Sequence, residues 1–327
     1  MSKKGQNNLI TDVPGIKVGH YTVDTENNKT GVTVILPCED DIFKNKMIAA
    51  CHVLNGFGKT AGLIQIEELG TMETPIALTN TLNVGLVHDA IVEYMCQNAE
   101  ERNYSIASVN PIVCECNDSY LNDIRHRVIG QKEVFDAIEV AAVTFAEGDV
   151  GAGKGMSCHQ LKGGIGSASR VIEIGENVFT IGVLLLTNHG RLADLTIEGK
   201  NIGAQIDQEL HANAPDKGSC IMIVATDLPV SSRQLKRIIK RCSVGLARVG
   251  SYIGHGSGEI MIGFSTANRI PEEAELIDMI CIHENHIDKA FQAVADATEE
   301  AVIKSMMNAD TVVGYKGNTR RSLREYM

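Results

Sequence analysis

Apolar and polar positions along this chain fall into two kinds of pattern: short continuous apolar runs and longer amphipathic stretches. The runs at residues 31–36, 63–66, 76–79, 109–113, 178–186, 219–225 and 260–264 have the length and turn-like flanks of buried strands. Helical periodicity is predicted over residues 84–103 and again over 132–147, where Val134, Ala137, Ile138, Ala141, Ala142 and Phe145 share one face. After the 219–225 run, Ser231 and Gln234 form a capping-box signature, and Leu235, Ile238, Ile239, Cys242 and Leu246 follow at helical spacing. The opposite face of that helix carries Arg233, Lys236, Arg237, Lys240 and Arg241, a pattern that reads as a solvated face rather than an anion site. A last helix is predicted over roughly residues 286–308, with Ile287, Ala290, Phe291, Val294, Ala297 and Ala301 turned inward. Strands and helices are mixed throughout, with no linker-like shift and no internal repeat, so residues 1–327 are expected to form one α/β domain.

Composition narrows the function more than the fold. The 327 residues are 44% hydrophobic and 22% charged, the balance of an ordinary globular protein. A net charge of −11 argues against a nucleic-acid partner and against an anionic membrane surface, because both are bound through clustered Lys and Arg. No stretch approaches the roughly 18 apolar residues of a membrane span, and the start MSKKGQNN has no apolar core of a secretory signal. Nine scattered cysteines read as free thiols in a reducing compartment, and the expected location is cytoplasmic.

Two motifs invite chemistry that their context does not support. Gly148-Asp-Val-Gly-Ala-Gly-Lys154-Gly155 resembles a phosphate-binding loop, but Gly stands where Ser or Thr would hold Mg²⁺, and a predicted helix rather than a strand precedes it. Close backbone approach or left-handed turns are the expected use of these glycines. Cys114-Glu115-Cys116 has no second Cys or His pair at zinc spacing nearby, and no metal or other cofactor is expected.

The Gly218–Ser219 bond carries more weight. It lies in HANAPDKGSCIMIVATD (211–227), where a polar loop containing Pro215 runs directly into an apolar strand. Cleavage there would leave Ser219 with a hydroxyl nucleophile and an α-amine of pKa about 7.7–8.0, suited to act as a base at neutral pH. Downstream, HGSGEIMIGFST (255–266) places Ser257 and Glu259 two apart at the start of another strand, on one face. A second hydroxyl and a carboxylate can form the relay that activates a weak nucleophile, although residues of these types, read alone, more often serve as a turn serine and a surface carboxylate.

With these residues in view the chain resembles the DmpA/BapA-type family, the L-aminopeptidase/D-esterases and β-aminopeptidases. Matching stretches are ITDVPGIKVGHYT (10–22), HVLNGFGKTAGLIQIEELGTMETPIALTNTLNVG (52–85) and ECNDSYLNDIR (115–125). Further on come EGDVGAGKGMSC (147–158), KGGIGSASR (162–170), LLTNHG (185–190), GSCIMIVATDLPVSSRQLKRIIKR (218–241) and SGEIMIGFST (257–266). The resemblance implies a four-layer αββα sandwich like that of N-terminal-nucleophile hydrolases. It also implies a precursor that cuts itself into an α piece (1–218) and a β piece (219–327), and an oligomer of αβ units, with a tetramer as the expected form. The implied substrate is a short peptide or amino-acid amide or ester with a free amine.

By the same resemblance, Ser219 matches the nucleophile and Ser257 and Glu259 its supporting groups. Asn188 matches the oxyanion amide, Glu115 the carboxylate that holds the substrate ammonium, and Tyr120 a wall of the same pocket. His126 and His189 match no role. Cys116 stands where a small polar residue is more usual, which bears on pocket shape. Left open are the base (the Ser219 α-amine or the Ser257–Glu259 relay), α- against β-amino-acid preference, and L against D. An acyltransferase of the ornithine acetyltransferase type and a general amidase are the alternative activities on this fold.

Overall fold

The computed structural model describes residues 2–210 and 217–327. Two sheets lie at its centre. The larger has the order Lys3–Lys4, Ile165–Ile174, Asn177–Asn188, Lys217–Thr226, Gly256–Pro271, Asn45–Gly56, Thr71–Met72. All its neighbours are antiparallel except Lys217–Thr226 and Gly256–Pro271, which run parallel. The smaller sheet has the order Lys17–Asp24, Lys29–Leu36, Ile76–Asn80, Ile112–Cys116, with the last pair parallel.

Side-chain alternation along the central strand explains its unbroken apolar run. Ile221, Ile223 and Ala225 pack into a core shared with the smaller sheet and with Val87, Ile91 and Met95 of helix Val84–Glu101 and Val134 of helix Gln131–Glu139. Cys220, Met222 and Val224 face a second core closed by helices Ser232–Ile239, Cys242–Arg248 and Asp288–Met307. Helices, large sheet, small sheet and helices therefore form the four layers expected, and a strand buried on both faces has no polar face to show.

Several sequence expectations shift in detail. Residues 63–66 are not a strand but the first turn of helix Leu63–Leu69, bracketed by Gly62 and Gly70 in left-handed conformations at its two caps. A run of four residues, three of them apolar, is too short for periodicity to separate the two structures. The helix expected over 132–147 stops at Glu139. Beyond it Ala142 exchanges two backbone hydrogen bonds with Val18 on the edge of the smaller sheet, and sheet pairing overrides the helical pattern. The Ser231–Gln234 capping box is present, but its helix breaks at Lys240–Arg241 into two. The basic face is partnered: Arg233 and Arg237 pair with Glu284, Lys236 with Glu67, and Arg241 stacks on Phe291.

The phosphate-loop lookalike is likewise structural. Lys154 is held by Asp24 and Asp149 at 2.7 and 2.9 Å, and Gly148 and Gly151 take positive φ. No described helix is long and apolar enough to cross a membrane.

Candidate active site

The central strands end at one face of the sandwich, and a cavity of about 680 Å³ opens there. Ser219 lies near the start of its strand, with its register partner Asn188 at the end of the antiparallel neighbour. Directly paired residues point to the same side of a sheet. Both line the cavity, as do Glu115 and Tyr120. Residues 211–216, Pro215 included, for which a polar loop before the junction is expected from the sequence, lie outside the described residues.

In the uncleaved chain the Ser219 hydroxyl donates to the carbonyl oxygen of Gly218 at 2.6 Å, so Oγ is held against the bond expected to break. Gly218 is required there by close packing: a Cβ would stand 1.8 Å from the Asn188 carbonyl oxygen. Its φ is not positive, so close packing and not a left-handed backbone is what requires the missing Cβ.

Asn188 is 7% exposed and its amide is oriented by both ends. Oδ1 accepts the Ser157 N–H at 2.8 Å, which commits Nδ2 to the donor side, and Nδ2 donates to the Asn117 carbonyl at 3.0 Å. An amide nitrogen carries two N–H bonds, so one remains for an oxyanion. The loop that supplies Ser157 is anchored by buried Lys162, whose Nζ donates to the carbonyls of Gly153, Met156 and Gly163 at 2.6–2.9 Å.

Glu115 sits on the small-sheet strand Ile112–Cys116, 3% exposed at the cavity wall. Its Oε1 accepts the Lys59 N–H at 2.9 Å and its Oε2 accepts the Thr81 hydroxyl. Strand alternation sends the flanking Cys114 and Cys116 into the core, where Cys116 Sγ lies 3.6 Å from the Leu186 carbonyl. Cys116 therefore does not shape the pocket, contrary to the sequence expectation. Tyr120 forms part of the rim, with the Arg320 guanidinium 3.6 Å above its ring, and Arg320 Nε donates to Ser157 Oγ at 2.9 Å.

Ser257 and Glu259 are both fully buried and joined by a hydrogen bond from the Ser257 hydroxyl to Glu259 Oε1. Their strand is the parallel neighbour of Ser219's, with Gly218 opposite Ser257 and Ser219 opposite Gly258. Alternation gives Ser219 the parity of Gly258, whereas Ser257 and Glu259 share the parity of Gly218 and Cys220. The pair thus flanks the Gly218–Ser219 peptide, and no hydrogen bond joins it to Ser219 Oγ among the described residues. His126 does not line the cavity and is bonded through Nδ1 to Asn28. His189 is in the wall; burial first, and the neighbouring His159 ring second, push its pKa down to about 3, so it is a neutral imidazole.

Sequence reasoning missed Lys59, Thr81, Asn117, Ser157 and Arg320. The first four lie within or beside the motif stretches, but as a backbone donor, a hydroxyl or a carbonyl they carry no distinctive signal. Arg320 lies outside every motif and is brought in by the chain terminus.

Two sheets between two helical layers, with a cavity at the strand ends, make a four-layer αββα architecture, shared with a solved structure described as a new variant among the N-terminal-nucleophile hydrolase fold. The chain belongs to peptidase family S58, whose profile matches residues 8–320. It is 34% identical to the β-peptidyl aminopeptidase BapA of Sphingosinicella microcystinivorans, over 98% of this chain and 86% of that one. Among solved structures it is similar to the PH0078 protein of Pyrococcus horikoshii OT3, with a TM-score of 0.93 and 47% identity over 99% and 93% of the two chains. The L-aminopeptidase D-Ala-esterase/amidase of Ochrobactrum anthropi, a prototype for the serine aminopeptidases, gives a TM-score of 0.92 and 34% identity over 99% and 93%.

Proposed function

We propose that this peptidase is an aminopeptidase that activates itself by cutting Gly218–Ser219, and that Ser219 is then its nucleophile. The observation that carries the reading is the Ser219 hydroxyl, 2.6 Å from the Gly218 carbonyl oxygen, at the wall of a cavity that also presents the Asn188 amide and the Glu115 carboxylate. Similarity to an L-aminopeptidase and a β-peptidyl aminopeptidase supports it.

In maturation, Ser219 Oγ attacks the Gly218 carbonyl carbon, and the amide nitrogen leaves with a proton as the new α-amine. Water then hydrolyses the Gly218 ester. In turnover the same Oγ attacks the substrate carbonyl, with its proton passing to the α-amine. Ser257 and Glu259 flank the peptide from which that amine is released, so their role is to hold and polarise the amine rather than to touch Oγ. The remaining Asn188 N–H stabilises the oxyanion. Glu115 binds the substrate ammonium, which restricts cleavage to the residue next to a free N-terminus. Water completes the cycle on the acyl-enzyme.

The test is turnover of alanine and β-alanine anilides. Wild type should hydrolyse at least one of them, and Ser219→Ala neither. Undiminished hydrolysis by Ser219→Ala would remove this serine from the chemistry.

A further inference from the structure

Behind the cavity wall the fold gathers Cys158, His159 and His189, and one ligand atom from each lies within 4.8 Å of the other two. Cys158 and His159 open the tight turn between strands Ser157–Cys158 and Leu161–Lys162, and His189 follows directly on the strand that ends at Asn188. All three are buried.

Three features set this cluster apart from ordinary packing. His189 is 1% exposed, yet neither ring nitrogen has a hydrogen-bond partner among the described residues, which is a costly way to bury an imidazole unless something else fills the place. His159 pairs Nδ1 with the Arg191 carbonyl at 2.8 Å, so Nδ1–H is the donor and the lone pair is on Nε2; metal-bound histidines are oriented in this way. His159 and Gln160 are held at φ 46° and 62° in a two-residue turn where Asn-Gly is the unstrained choice. The backbone fixes this conformation by donating the His159 N–H to the His189 carbonyl at 2.6 Å. Gly190 makes room for the ring, because a Cβ there would stand 2.6 Å from His159 Cε1.

We propose that Cys158, His159 and His189 bind one zinc-like divalent ion, with a fourth coordination position open toward the cavity. One thiolate and two imidazoles suit zinc and not Mg²⁺ or Ca²⁺. Tetrahedral zinc needs ligand atoms about 3.3–3.6 Å apart, given bonds of about 2.0–2.3 Å, which small rotamer changes within the observed spacing supply. Binding forms a Zn–S bond and releases the Cys158 thiol proton to solvent. His189 lies in the cavity wall, so an ion reaches the cluster from there. The bound ion ties the Ser157–Cys158 strand to the Asn188–His189 segment, the two pieces whose contact orients the Asn188 amide.

The test uses the full chain after chelator treatment. Titration with Co²⁺ should give one equivalent bound, with a thiolate-to-cobalt charge-transfer band, and Zn²⁺ should displace it and raise Tm. Cys158→Ser should abolish the band, and His189→Gln should weaken Zn²⁺ binding by at least about 100-fold, beyond the loss typical of an outer-shell partner. Circular dichroism checks that both variants fold, and Cys281→Ser, which removes the exposed thiol, should bind as wild type does. Absence of the cobalt band in wild type overturns the proposal, as does binding that survives in folded Cys158→Ser and His189→Gln.

Discussion

Replacing Glu115 with Gln removes a charge and little else. Oε1 remains an acceptor for the Lys59 N–H, and the Thr81 hydroxyl can rotate to accept from the new amide instead of donating. The fold should therefore survive, and the loss should be confined to the interaction with the substrate ammonium. A charge-assisted hydrogen bond contributes about 1.5–3 kcal/mol, which is about 10–100-fold in kcat/KM if it persists in the transition state. The assay compares an alanine or β-alanine anilide with the same compound N-acetylated. Wild type should cleave the free amine and ignore the blocked one. Glu115→Gln should lose about 10–100-fold on the free amine and far less on the blocked compound. The wild-type advantage should fade as pH rises past the substrate amine's own pKa, about 7.7–8.0 for an α-amine. An equal loss on both substrates, or none on either, would show that Glu115 does not bind the amine and would turn the assignment towards a general amidase.

Other positions give separate readouts. Asn188→Ala should lower kcat by about 10²–10³-fold, as for loss of one oxyanion donor, with KM little changed; steady-state kinetics decide. Glu259→Gln and Ser257→Ala should each lower kcat by about 10²-fold or more while circular dichroism stays native, and wild-type rates in both would leave the α-amine unassisted. His20 is held neutral between Thr33 and the Ala146 carbonyl, and burial pushes its pKa from 6.5 down to about 4. The unfolded chain then binds the extra proton first, so the contribution of His20 to stability is complete above about pH 6.5 and is lost as pH falls towards 4. Urea midpoints should drop between pH 7 and pH 5, and His20→Gln should show a smaller drop.

Much of the frame was legible because burial on two faces writes continuous apolar runs. The Asn177–Asn188 and Lys217–Thr226 strands are of this kind. Strand Ile165–Ile174 escaped because three of its buried positions are polar and satisfied by tertiary partners, which breaks its apolar run: Ser167 donates to the Val183 carbonyl, Ser169 to Asp12, and Arg170 pairs with Glu300. The site residues named from the motifs line or adjoin one cavity, yet the sequence could not say which of them touch. Spacing put Ser257 and Glu259 on a common face, as found, but only the register with Gly218 shows that this face is not that of Ser219. The Cys158–His159–His189 cluster was equally hidden, since it joins a tight turn to a strand end thirty residues away.

The account rests on the bond between Gly218 and Ser219, and the intact mass of the purified protein under denaturing conditions tests it most directly. Two species are predicted, residues 1–218 and 219–327, with the smaller beginning Ser-Cys-Ile-Met and with Ser219→Ala remaining a single chain. A wild-type protein that stays at 35.3 kDa after prolonged incubation, or that is cut at another bond, would contradict it.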